Sequence, residues 1–223
     1  GNWKMQGSQA LVHHFHDVFK NYFCPSHHQV TLCVPYIYMH AMKNLFSLGA
    51  QDCSPYSTGS HTGEVSAGML KDMGVTSVLI GHSERRRDYH ESTPLLLEKC
   101  KALKTQNLTP VICLGESYDD YKQGLTLERI HEQLTPFLAC SSPKIFAYEP
   151  LWAIGTGKTA TRQDLEPVFR YFKTMTSVPL LYGGSVGADN VQTLLSIPFI
   201  DGVLVGGASL DPYAWKAILE SSL

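Results

Sequence analysis

Three side chains that could move a proton or hold an anion follow short stretches rich in apolar residues. Glu149 comes directly after the run 144–148, His82 comes just after the run 76–80, and Lys4 lies in the opening stretch GNWKM. A carboxylate can act as a base, a neutral imidazole can donate a hydrogen bond to a carbonyl, and a lysine can stabilise a developing oxyanion. These residue types together predict proton transfer at a carbon beside a carbonyl group.

Two glycine-rich stretches indicate which compound would carry that carbonyl. Gly183-Gly184-Ser185 follows the apolar run 178–182, and Gly206-Gly207 follows the run 201–205. Without a Cβ, a glycine backbone lets its N–H groups approach an anion closely. Glycines can also simply form tight turns, but two such pairs at corresponding positions favour a phosphate group.

Each of the two central residues also has an ordinary structural explanation. A histidine after a strand is more often structural than catalytic, and a carboxylate at a strand end can be an ion-pair partner. For His82 the stretch SERRR that follows is typical of a short helix, and the start of a helix holds a histidine neutral. For Glu149 the next residue, Pro150, fixes the backbone, and a glycine-rich segment comes after it.

That glycine-rich segment resembles part of a nucleotide-binding loop. Residues 155–159 read GTGKT, but the motif needs a glycine five residues before Gly157, where this chain has Trp152. An indole cannot make the turn that surrounds phosphates, so nucleotide binding is a weak interpretation.

The elements that must position these residues alternate along the chain. The continuous apolar character of the runs is typical of strands covered on both faces. Eight strand-and-helix units predict an α/β fold, a (β/α)8 TIM barrel that forms a single domain over residues 1–223. GNWKM matches only the last part of a first strand, so strand one is expected to be partly missing at the N-terminus. The predicted strands, in chain order, are GNWKM, 29–34, 50–53, 76–80, 109–114, 144–148, 178–182 and 201–205.

Composition excludes several other classes of protein. The chain has 223 residues, 43% hydrophobic and 17% charged, with a formal net charge of −2, which does not suggest nucleic acid or an anionic membrane as a partner. Six cysteines without a CxxC pair predict a reducing, cytoplasmic location, and the sequence has neither a signal peptide nor a membrane-spanning run. His13, His14 and His16 lack the partners of a metal site, so no metal is expected.

Five stretches, in this order and with these gaps, carry a resemblance to a known family. They are GNWKM, GHSERR, AYEPLWAIGTGKTAT, YGGSV and DGVLVGGASL. Together they closely resemble triosephosphate isomerases over the whole chain. The resemblance implies an isomerase of glycolysis and gluconeogenesis that interconverts dihydroxyacetone phosphate and D-glyceraldehyde 3-phosphate through an enediolate, without a cofactor.

The resemblance also implies roles for individual residues. Glu149 is similar to the family's proton-transferring base and His82 to its neutral electrophile. Lys4 resembles the electrostatic anchor, Asn2 lies beside the substrate oxygen, and Glu84 is similar to a buried carboxylate that orients the lysine.

Further positions match the family's phosphate contacts and lid. The implied phosphate contacts are Gly155, Ser185, Gly206 and Gly207. The implied lid has its hinges at Pro150, Leu151 and Trp152 and at Lys158, Thr159 and Ala160.

The segment 50–66 resembles the family's long loop that docks into a second subunit. Thr62 and Glu64 stand where its tip would contact the neighbour's active site, which implies a homodimer.

Two rival functions remain. A phosphate-binding aldolase barrel would need a Schiff-base lysine at the end of a middle strand, where this chain offers Glu149. A scaffold protein that has lost turnover would be expected to have lost at least one of Lys4, His82 and Glu149.

Overall fold

The computed structural model describes residues 1–22, 24, 28–140, 144–154 and 159–222. Its described residues form one parallel sheet in which each strand pairs with the next strand along the chain. The strands are β1 (Thr31–Cys33), β2 (Ser47–Ala50), β3 (Val75–Ile80), β4 (Thr109–Leu114), β5 (Ile145–Tyr148), β6 (Leu180–Tyr182) and β7 (Gly202–Val203).

The opening residues join the two edges of this sheet. Asn2 forms a parallel bridge with Cys33, and the Cys33 amide donates to the Gly1 carbonyl oxygen at 2.7 Å. On the other side the Asn2 amide donates to the Val205 carbonyl oxygen at 2.7 Å. Because this segment pairs on both sides, it takes the place of an eighth strand. This confirms the predicted TIM barrel.

At least one helix lies between each strand and the next, as the sequence predicts, and β3 and β4 are each followed by two helices. They are α1 (Gln9–Phe19), α2 (Tyr36–Met42), α3 (Ala67–Met73), α4 (Ser83–Tyr89), α5 (Thr93–Thr105), α6 (Tyr118–Lys122), α7 (Thr126–Leu138), α8 (Arg162–Met175), α9 (Val191–Leu195) and α10 (Pro212–Ser221). Two short 3₁₀ turns, Leu151–Ala153 and Gly207–Leu210, follow β5 and β7. No helix in the described part of the chain is long and apolar enough to cross a membrane.

The core has two parts because the strands are covered on both faces. The larger part packs the outer face of the sheet against the helices and includes Trp3, Tyr148 and Phe169. The smaller part fills the barrel interior with Cys33, Leu79, Val111, Cys113, Ala147 and Leu204. This arrangement explains why the strands read as continuous apolar runs.

The prediction of a strand at 50–53 was wrong. The strand is Ser47–Ala50, and the chain leaves the sheet at Gln51. The Gln51 side chain donates hydrogen bonds to the carbonyl oxygens of Lys4, at 2.9 Å, and of Cys33, at 3.0 Å. Cys53 is buried although it lies outside the sheet, so its apolar character suggested a strand.

Candidate active site

The predicted site residues come together at the carboxyl ends of the strands. Asn2 and Lys4 end the opening segment, His82 follows β3, and Glu149 follows β5. In a parallel barrel these ends form one rim, and the rim is where such folds carry their sites.

Glu149 is almost fully enclosed at this rim. Its side chain is 2% exposed, and its backbone amide donates to the Leu114 carbonyl oxygen at 2.7 Å. One carboxylate oxygen, Oε1, lies 3.2 Å from Nε2 of His82, and the other accepts a hydrogen bond from the Ser83 amide at 3.2 Å. Glu149 is thus fixed by neutral groups.

Two glycines make room for Glu149. A Cβ at Gly115 would lie 1.8 Å from the carbonyl oxygen of Glu149, and a Cβ at Gly183 would lie 2.9 Å from its Cγ. No side chain fits at Gly115 without moving the end of β5. Gly115 was not predicted as a site residue, although a glycine directly after a buried strand is a signal of close backbone approach.

His82 is the residue on which α4 begins. Its Nδ1 accepts a hydrogen bond from the Glu84 amide at 3.3 Å, so Nδ1 carries no proton. The ring is therefore neutral, with its proton on Nε2, the nitrogen that faces Glu149. The prediction of a short helix after His82 is confirmed, and its start selects the tautomer.

Lys4 is held in an unusual backbone conformation. Its φ is 56°, the left-handed region that residues other than glycine rarely adopt. The Asn2 side-chain oxygen accepts a hydrogen bond from the Lys4 amide at 3.0 Å, and Gln51 binds the Lys4 carbonyl oxygen. Asn2 and Gln51 therefore place the lysine. Gln51 was missed because nothing in its local sequence distinguishes it from a surface glutamine.

The Lys4 side chain lies between a carboxylate and a glycine loop. Its Nζ is 2.8 Å from Oε1 of Glu84, the pairing that the family resemblance implies. The Glu84 side chain is 39% exposed, so the expectation of a buried carboxylate was wrong. A Cβ at Gly206 would lie 3.7 Å from the Lys4 Cε, which places this cation beside the loop after β7.

The glycine loops after β6 and β7 differ in how much space lies beside their backbones. A Cβ at Gly184 would lie 2.1 Å from the Tyr182 hydroxyl, whereas a Cβ at Gly207 would meet nothing within 4 Å. Packing therefore explains the glycine after β6 but not Gly207, where the space beside the backbone is open. Ser185 is exposed at the same rim. Gly155 lies outside the described residues.

A buried carboxylate, Glu116, accepts a hydrogen bond from the turn that follows Glu149. Pro150 precedes the 3₁₀ turn, and the Trp152 Nε1 donates to Oε1 of Glu116 at 2.8 Å. The Tyr148 hydroxyl donates to the same oxygen at 3.1 Å. Burial raises the pKa of Glu116, and the hydrogen bonds from Trp152 and Tyr148 oppose that rise. Glu116 was not predicted from the sequence.

The chain returns to the rim at Thr159 and Ala160. Thr159 is exposed, whereas Ala160 is buried next to the strand-end residue Tyr182. Burial raises the pKa of the Tyr182 hydroxyl to about 12, and the backbone groups of Ala160 and Ser185 act in the opposite direction. Lys158 lies outside the described residues.

The loop between β2 and α3 projects from the rim. Its base is joined by the Ser54 amide, which donates to the Val65 carbonyl oxygen at 2.8 Å. Near its tip the Tyr56 and His61 rings stack with centroids 3.9 Å apart. Thr62 and Glu64 are both exposed.

Among the described residues, no group of three or more histidine, cysteine, aspartate or glutamate side chains could hold a metal ion.

Sequence comparisons agree with this geometry. The family model named triosephosphate isomerase matches residues 1–222. The triosephosphate isomerases of Shewanella sp. strain ANA-3, Shewanella baltica strain OS155 and Shewanella putrefaciens strain CN-32 are each 38% identical to this chain over 237 aligned residues. Each alignment covers 95% of this chain and 91% of the relative. The barrel, the residues at its rim and these similarities together show that the chain belongs to the triosephosphate isomerase family.

Proposed function

We propose that this protein interconverts dihydroxyacetone phosphate and D-glyceraldehyde 3-phosphate in glycolysis and gluconeogenesis, without a cofactor. The observation that carries the proposal is the pairing of two buried groups, Oε1 of Glu149 and the protonated Nε2 of His82, 3.2 Å apart. A base and a hydrogen-bond donor at this spacing can serve adjacent atoms of one substrate. Family membership supports this choice of reaction.

In the proposed reaction, Glu149 removes a proton from the carbon that bears the hydroxyl group of dihydroxyacetone phosphate. The electrons of that C–H bond form the carbon–carbon double bond of an enediolate, and the carbonyl oxygen takes the negative charge. The Nε2–H of His82 donates a hydrogen bond to this oxygen, and Lys4 stabilises the charge. A proton then moves from the neighbouring hydroxyl group to this oxygen, which leaves the negative charge on the former hydroxyl oxygen. Return of the carbon proton to the neighbouring carbon, with re-formation of a carbonyl at the former hydroxyl carbon, gives glyceraldehyde 3-phosphate, and Asn2 is proposed to lie beside the substrate oxygen.

The substrate phosphate is proposed to bind at the glycine loops. Ser185, Gly206, Gly207 and Gly155 supply the backbone contacts. The position of the Lys4 side chain beside Gly206 supports this assignment, since the cation offsets the charge of the phosphate.

The segment after Glu149 is proposed to act as a lid. Its hinge residues are Pro150, Leu151 and Trp152 on one side and Lys158, Thr159 and Ala160 on the other. Excluding water strengthens the electrostatic contacts around the enediolate and prevents loss of phosphate.

A homodimer in the cytoplasm completes the proposal. Thr62 and Glu64, exposed on the loop that projects from the rim, would contact the active site of the second subunit. Met5, beside Lys4, is 97% exposed in the single chain. A large apolar side chain exposed here supports an interface that the second subunit would cover. The compartment is proposed from the glycolytic role and from the six free cysteines.

A coupled assay of glyceraldehyde 3-phosphate turnover tests the proposal with the variant Glu149→Gln. The amide keeps the shape of the side chain but cannot accept the carbon-bound proton, so kcat should fall by about 10²–10⁴-fold. Glu166→Gln is the matched control, because Glu166 pairs only with surface arginines of α8 among the described residues. Wild-type turnover in the Glu149 variant would remove this residue from the role of base.

A further inference from the structure

One tyrosine contacts both described ends of the chain segment that links Glu149 to α8. Tyr121 lies on α6, and its ring stacks on the indole of Trp152 with centroids 4.2 Å apart and planes 28° apart. Trp152 belongs to the turn directly after Glu149. The ring of Tyr121 therefore covers the face of the turn while Glu116 binds the indole nitrogen.

The hydroxyl group of the same tyrosine reaches the other end. It donates to Oδ1 of Asp164 at 2.8 Å. The second oxygen of Asp164 accepts from the Thr161 amide at 2.8 Å and from the Thr161 hydroxyl at 2.7 Å, closing the capping box of α8. The hydrogen bond to Asp164 raises the pKa of Tyr121, so the hydroxyl stays protonated and remains a donor.

The helix that carries Tyr121 is itself fixed. Ser117 and Asp120 form a capping box at the start of α6, and Arg129 of α7 binds Asp120 at 2.9 Å. The tyrosine therefore projects from an anchored base.

We propose that Tyr121 is a positioning residue that ties the turn after Glu149 to the N-terminus of α8. Stacking holds the turn and the hydroxyl bond holds the helix, so the two ends keep one relative placement. The tie is distinct from any contact with substrate, because Tyr121 acts through Trp152 and Asp164.

Backbone hydrogen exchange measures the tie directly. The Ala153 amide, bonded to the Pro150 carbonyl oxygen, reports on the turn, and the Leu165 amide, bonded to the Thr161 carbonyl oxygen, reports on α8. Tyr121→Ala should raise exchange at both amides by about fivefold, the equivalent of one net hydrogen bond. Tyr121→Phe keeps the ring and should raise exchange only at Leu165.

Tyr171 of α8 supplies the matched control. Its hydroxyl lies 2.6 Å from Nδ1 of His131 on α7, so Tyr171→Phe also removes one contact between a phenol and another helix. Exchange at Ala153 should stay at the wild-type rate in both Tyr171→Phe and Tyr171→Ala. Equal exchange in the Tyr121 and Tyr171 variants, or a rise at only one amide in Tyr121→Ala, would overturn the tie.

A kinetic test rests on the proposed function. The two ends flank the proposed phosphate pocket, so losing the tie adds their ordering to the cost of binding. Tyr121→Ala should raise KM about fivefold while kcat and its pH profile stay unchanged. A purely structural role would lower the active fraction, and hence kcat, with KM unchanged, and that outcome would contradict the proposal. A wild-type protein that does not turn over the substrate would refute the proposed function, and the exchange experiment would still decide whether the tie exists.

Discussion

Two groups of charges, each with buried members, lie near the rim of the barrel, and they differ in the partners of their charges. The first, the ion cluster, contains two cations and two carboxylates: Lys99 Nζ lies 2.6 Å from Asp52 and 2.5 Å from Glu91. Arg85 lies 2.8 Å from Asp52 and 2.6 Å from Glu91, so each charge has two opposite neighbours.

The second group contains Glu149, which has no such partner. No lysine or arginine of the described residues forms an ion pair with it; its carboxylate contacts the neutral His82 ring and the Ser83 amide. Neutralised charges stabilise a fold and do little chemistry, whereas a buried carboxylate without an ion-pair partner can act on a substrate. The difference separates the structural charges from the charge that is proposed to be catalytic.

Removing a cation from the ion cluster should give the largest change in stability. Lys99→Met leaves Asp52 and Glu91 with only Arg85 between them, so the free energy of unfolding should fall by about 3–5 kcal/mol. Urea denaturation measures this, and kcat of the folded variant should match the wild type.

Lys101→Met is the control for the cluster, because Lys101 pairs with Glu98 in an exposed position. Its effect on the free energy of unfolding should be far smaller than that of Lys99→Met, because exposed ion pairs contribute little. Similar losses in the two lysine variants would show that the ion cluster is not a structural element.

The next largest effect, a fall in kcat, is expected when Glu149 is displaced without a change in its charge. Gly115→Ala places a Cβ against the Glu149 carbonyl oxygen and shifts the base. A displacement of about 1 Å should lower kcat by roughly 10²-fold. A crystal structure of the variant checks the displacement, and full activity with a displaced Glu149 would contradict the need for this placement.

A smaller effect is expected at the glycine that packing does not explain. Gly207→Ala adds a methyl group to open space, so the melting temperature should not change. The methyl group would lie where the phosphate is proposed to bind, and KM should rise about tenfold, the loss of one charge-assisted hydrogen bond. An unchanged KM would place the phosphate elsewhere.

The smallest effect concerns how the protonation of Glu116 makes the stability of the fold depend on pH. Burial raises its pKa in the folded protein above the ordinary value of 4.5, so the folded state binds more protons than the unfolded state just above pH 4.5. Stability contributed by this group is therefore lost as pH rises through that window. Urea denaturation between pH 4 and 7 should show a steeper decline for the wild type than for Glu116→Gln, and parallel curves would contradict the raised pKa.

The two groups also differ in how far the sequence could predict them. Glu149, His82 and Lys4 stand at the ends of predicted strands, so the barrel topology brings them to one rim. The ion cluster was not predicted. Asp52 and Lys99 are 47 residues apart, on a loop and on a helix, and no local sequence pattern indicates that these two elements pack together. Glu116 and Gly115 were missed because the contacts that define them are made across neighbouring strands. The strand at 47–50 was misplaced because buried Cys53 gave the loop an apolar character.

The most direct test of the account follows hydrogen at carbon. Glyceraldehyde 3-phosphate is incubated with the protein in D₂O, and NMR measures deuterium in the products. A base that takes the proton and exchanges it with solvent gives product with deuterium at carbon, and Glu149→Gln should stop this incorporation along with turnover. Equal carbon-bound deuterium in the wild type and the variant, at equal rates of turnover, would contradict proton transfer by Glu149.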